Sequence, residues 1–170
     1  PDVQMWLYVQ WTGETWERDN WGNGRSRFGN EEVVFGEPAE TWQEAVANHV
    51  RYTELVMEEM NKARADEIEA GKCRPVKIIP AGLALSELKT RIEKGEMPGM
   101  TDFNSTIFAG PGDIHLSRSG AYLVSLVHYA CIYGESPEGK VTSADSGLTP
   151  EQAKIFQQIA WETAKSYKHS

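Results

Sequence analysis

Val3-Gln4-Met5-Trp6-Leu7-Tyr8-Val9-Gln10-Trp11 stands near the start of the chain, and Pro75-Val76-Lys77-Ile78-Ile79-Pro80-Ala81 near its middle. The first run is rich in β-branched and aromatic residues and has apolar side chains on both parities, as a strand covered on both faces would. The second run, short and bounded by prolines, reads as another strand. Between them, from Thr41, residues Trp42, Ala45, Val46, His49, Val50, Leu55, Val56 and Met60 recur at three- and four-residue steps among charged side chains. That spacing predicts one long amphipathic helix ending near Gly71, and Thr41 with Glu44 fits a capping box at its start. Strand, helix, strand implies a βαβ unit and a parallel sheet.

Outward from this core, residues 12–36 are crowded with glycine and asparagine and read as a long surface loop, with a third strand possible over 32–35. The aromatic series Trp11, Trp16, Trp21 and Phe28 either floors a carbohydrate or acyl site or pins this loop to the core. Residues 83–94 form a second helix stopped by Gly95 and Pro98, and residues 97–112 a Pro- and Gly-bearing loop. A third helix is expected over 117–133, closed by Gly134. The last helix starts at Thr149-Pro150, where threonine caps and proline takes the first helical position. The whole predicts one α/β unit over residues 1–170: a parallel sheet with flanking helices in three layers, short of strands and apparently incomplete at its N-terminus.

A net charge of -8 and a pI near 5.0, with no basic patch, disfavour a general grip on nucleic acid. No apolar run reaches the ~20 residues of a membrane span. Cys73 and Cys131 form no CxxC pair, and the histidines show no HxH or HExxH spacing, so neither a metal nor another cofactor is indicated. The compartment is not specified. The chain begins without an initiating methionine or a leader and reads as a processed or excised piece.

Chemistry concentrates in Gly112-Asp113-Ile114-His115-Leu116-Ser117-Arg118-Ser119-Gly120-Ala121-Tyr122-Leu123 and in Tyr133-Gly134-Glu135-Ser136-Pro137. An acid and a histidine in a loop that opens a helix are what a hydrolase uses to place a general base, with the imidazole held in one tautomer by an acceptor. The stretch resembles the last sequence block of SGNH (GDSL-like) hydrolases, in which an Asp-x-x-His motif opens the C-terminal helix and a small residue soon after lets that helix pack closely. Residues 3–11 and Pro80-Ala81-Gly82 look like that family's late strand and the loop after its final one.

The resemblance implies a flavodoxin-like three-layer fold and a serine-type ester hydrolase, with His115 as general base and Asp113 as its orienting acid. Gly112 stands where the family pattern has the acid, and the nucleophile and oxyanion blocks of the family's N-terminal half have no counterpart here. Without oxyanion donors, each worth ~3 kcal/mol, a lone histidine accelerates little. The implied substrate is a small ester or an acylated carbohydrate, with Asn104, Ser105 and Trp11 as candidate contacts. Loop polar groups such as Asn104, Ser105 and Thr106 more often satisfy their own backbone. The rival class is a non-catalytic binding or structural module on the same skeleton. As partners the sequence allows a missing N-terminal half or a second copy paired at the bare edge of the first strand.

Overall fold

A computed structural model describes residues 3–13, 21–28 and 30–170, without the side chain of Phe28. Ten elements occur among the described residues: β1 (Trp6–Tyr8), β2 (Arg25–Phe28), β3 (Glu31–Val34), α1 (Trp42–Ala63), α2 (Ala65–Glu69), β4 (Lys77–Ile79), α3 (Ala81–Glu93), α4 (Phe103–Ile107), α5 (Arg118–Tyr133) and α6 (Pro150–Ser166).

The chain is mixed α/β, and β1 runs parallel to β4 with Leu7 opposite Ile78. The sheet is smaller than the sequence suggests. Both apolar runs are longer than their strands, because Pro75 and Pro80 bound β4 and proline cannot donate to a ladder. The edge between the two strands is extended only by Lys77 N–H donating to Met5 O at 3.1 Å and Val9 N–H donating to Ile79 O at 2.9 Å. The expected third strand exists, but as β3 in a separate antiparallel hairpin with β2, so it adds nothing to the parallel pair. The expected three-layer parallel sheet is thus present only as two strands with helices about them.

The hairpin corrects the reading of residues 12–36 as loop alone. Asn48 fastens it by donating to the carbonyls of Trp21 and Glu37, both at 2.9 Å. Trp21 also stacks on His49 with ring centres 4.0 Å apart, beside Phe35 and Tyr52. Trp21 therefore pins the segment to α1. Trp16 lies outside the described residues.

Helix α1 begins as its sequence predicts, with Glu44 N–H donating to Thr41 Oγ1 at 3.2 Å and Thr41 N–H to Glu44 Oε2 at 3.1 Å. It ends at Ala63, short of Gly71, and α2 follows as a separate turn after Arg64 leaves helical geometry. Its buried stripe runs through Val46, His49, Val50, Thr53 and Met57. Leu55, placed in that stripe by spacing, is 39% exposed. Leu7 packs with Val9, Val50, Met57 and Ile78 on the α1 face of the sheet, while Trp6, Tyr8 and Ile79 face the core built by α3, α5 and α6. Leu85, Leu88, Leu123, Leu126, Phe156 and Ile159 are fully buried there.

Cys131 sits half-buried at the edge of this core, and burial pushes its thiol up to about 11. At pH 8 its thiolate population is then lower than that of a free cysteine by about two hundredfold. Labelling by a disulfide reagent at that pH is expected to be slow at Cys131 by a similar factor relative to free cysteine. Site-resolved mass spectrometry checks this.

Candidate functional site

The histidine loop is built from local rules. Gly112 has φ 70°, a left-handed conformation that glycine adopts without cost, and Asp113 N–H closes the turn on Gly110 O at 3.1 Å. An acid at position 112 would meet that backbone penalty. At position 113 it does not, and its carboxylate still reaches the ring: Asp113 Oδ1 lies 2.6 Å from His115 Nδ1 and accepts from His115 N–H at 2.9 Å. The backbone N–H of His115 first, and its ring second, hold the Asp113 carboxyl below the usual carboxylate range. With the carboxylate ionised, Nδ1 carries the proton and Nε2 offers its lone pair, the tautomer a general base needs. The imidazole side chain is 83% exposed and that of Asp113 36%.

Tertiary contacts bring this loop to the carboxyl end of β1. Trp11 Nε1 donates to Ile114 O at 2.9 Å, so the indole N–H of this candidate substrate contact is engaged within the chain. Trp42 Nε1 holds Thr12 O at 2.8 Å, and Gly82 N–H donates to Val9 O at 3.0 Å. Ser117 caps α5 through Gly120 N–H, and the hydroxyls of Ser117 and Ser119 both donate to Thr106 O at 2.6 Å. Gly120 is the small residue that lets α5 approach, since a Cβ there would lie 2.5 Å from Ile107 O.

Asn104 and Ser105 come together in the first turn of α4, where Asp102 caps by accepting from Ser105 N–H at 2.8 Å. Ser105, through its side chain and then its amide, holds the Asp102 carboxyl below its ordinary range. With Asp102, Phe108, Ala109 and Pro111 they line a cleft of about 270 Å³. The cleft adjoins the histidine loop, because Ala109 N–H donates to His115 O at 2.9 Å and Phe108 bridges to Leu116. Asp102, Phe108 and Pro111 were not singled out by the sequence; the Asp102-x-x-Ser105 spacing of a helix cap is the signal that could have found the acid.

A larger groove of about 460 Å³ lies against α1, lined by residues such as Glu37, Glu40, Asn48 and Arg51. It is the less convincing site despite its size, since it holds no histidine and Asn48 is occupied with the hairpin. His128 is a packed residue, with Nδ1 2.8 Å from Val124 O and its ring against Tyr8. Among the described residues no group of three or more His, Cys, Asp or Glu is placed to hold a metal ion, and no helix is long and apolar enough to cross a membrane.

The chain matches no protein-family model, no curated protein and no solved structure.

Proposed function

We propose that these residues supply the general-base half of a serine-type ester hydrolase of the SGNH kind. The observation that carries the reading is the Asp113–His115 pair, 2.6 Å apart, held at the carboxyl end of a parallel strand pair. Loops at that end of a parallel α/β sheet are where ligands bind. His115 Nε2 takes the proton from a serine hydroxyl, and Asp113 steadies the imidazolium that results. The serine and the oxyanion donors come from polypeptide beyond these residues, adding strands along β1 to complete a flavodoxin-like three-layer sheet. The substrate is a small ester or an acylated carbohydrate, with Asn104 and Ser105 in the adjacent cleft. Trp11 supports the loop from beneath.

One observation favours the rival reading, a non-catalytic module on the same skeleton. Ser117 and Ser119, the hydroxyls nearest His115 in sequence, are both committed to Thr106 O. The test separates the two. Expressed with the coding sequence immediately upstream of Pro1 joined in frame, the protein is expected to hydrolyse para-nitrophenyl acetate, while the chain of 170 residues is not. A longer product without turnover would establish the module. Turnover by the 170 residues that survives His115→Ala would remove the proposed chemistry.

A further inference from the structure

The two edges of the parallel sheet are finished differently. Lys77 and Ile79 bond toward β1, so the backbone groups of Val76 and Ile78 face away from it. On that side Asn61 of α1 stands in for a strand: Oδ1 accepts from Val76 N–H at 2.7 Å and Nδ2 donates to Val76 O at 3.2 Å. Ile78 N–H, one step along, donates to His169 O at 2.9 Å.

The segment 167–170 that carries this carbonyl is anchored at several points. Tyr167 OH donates to Glu54 Oε1 at 3.0 Å, and His169 Nε2 lies 3.7 Å from the same oxygen. Ser170 Oγ donates to Ala164 O at 2.6 Å, and Lys77 Nζ to Ser170 O at 3.1 Å. The Tyr167 ring also packs on the Val50, Met57, Val76 and Ile78 cluster. Burial first, and Glu54 second, raise the Tyr167 phenol above its ordinary range, so it stays a neutral donor at physiological pH. On the other side of the sheet, β1 has no strand neighbour among the described residues.

An open strand edge is a template for another strand, and natural sheets cover the edges they do not use. We propose that Asn61 and residues 167–170 form a terminator that closes the β4 edge of the sheet to strand addition by a second copy of this chain. The inference rests on the hydrogen bonds that Asn61 and residues 167–170 make with and around β4, and it stands whether or not the hydrolase reading holds.

Its test combines Asn61→Ala with truncation after Ser166. Amide hydrogen exchange at Val76 and Ile78 is expected to accelerate by about tenfold or more while Leu88 and Leu126 stay protected. Sedimentation is expected to show a gain in mass with concentration relative to the unaltered chain. Unchanged exchange at Val76 and Ile78 overturns the proposal, and so does faster exchange with no gain in mass. Tyr167→Phe, which keeps the full length and removes one anchor, decides the matter if the truncated chain unfolds. Faster exchange at Ile78 together with a gain in mass then supports the terminator, and the absence of either rejects it.

Discussion

Gly82→Ala is expected to destabilise the chain by roughly 3 kcal/mol, the upper end of what overpacking usually costs. In α3 the substitution should by itself help, since alanine is a better helix former than glycine by about 1 kcal/mol. The surroundings decide the sign. A Cβ at position 82 would lie 2.2 Å from Gln10 O and 3.1 Å from Val46 Cγ1. The nearer atom is backbone, and neither side can yield cheaply, because Gly82 N–H is itself bonded to Val9 O. To accommodate a methyl group the first turn of α3 must move off the end of β1, which also disturbs the Trp11 and Thr12 contacts that seat the histidine loop. Urea denaturation should show a lower midpoint at unchanged slope. Gly110→Ala is the control, because nothing lies within 4 Å of the added carbon, and its effect should stay within about 0.5 kcal/mol. Equal midpoints for Gly82→Ala and the parent would show that the helix and strand are not in the tight contact described.

On the hydrolase reading proposed above, His115→Ala in the upstream-extended protein should lower kcat/KM for para-nitrophenyl acetate by about 10⁴-fold or more, the loss typical of removing a triad base. Asp113→Asn should cost distinctly less. The pair is solvated, with the imidazole side chain 83% exposed, and water can replace part of what an exposed carboxylate contributes. The Asp113 carboxyl lies below its usual range, so it is ionised at neutral pH, where the two variants are to be compared. Equal losses for both would make the carboxylate as indispensable as the ring. A His115→Ala enzyme as active as the parent would leave the loop with no part in catalysis.

Features carried by neighbours in sequence were legible. The caps of α1 and α6 follow from Thr41 and Thr149 three residues before their partners. The acid and the histidine were legible as neighbours, but that the Asp113 carboxylate reaches His115 Nδ1 across two residues was decided by the turn at Gly112. Periodicity was less reliable over distance: it carried the helical stripe onto Leu55, where the face has rotated toward solvent, and extended α1 past Arg64. The hairpin was missed because its first strand, Arg25 to Phe28, is too polar and too short to announce itself without its partner, so the expected strand near Glu32 had no visible neighbour.

By itself the sequence determined the two parallel strands, the four longer helices between and after them and the caps at Thr41 and Thr149, because each depends on residues a few positions apart; the short helices α2 and α4, the latter inside the expected loop 97–112, were not legible. Only the tertiary structure decided how many strands share a sheet, which edge is closed and where the cleft lies. Those follow from contacts between Asn61 and Val76, Ile78 and His169, and Trp11 and Ile114. A one-dimensional pattern cannot specify such pairings, since their energy depends on register and burial that exist only once distant segments have met.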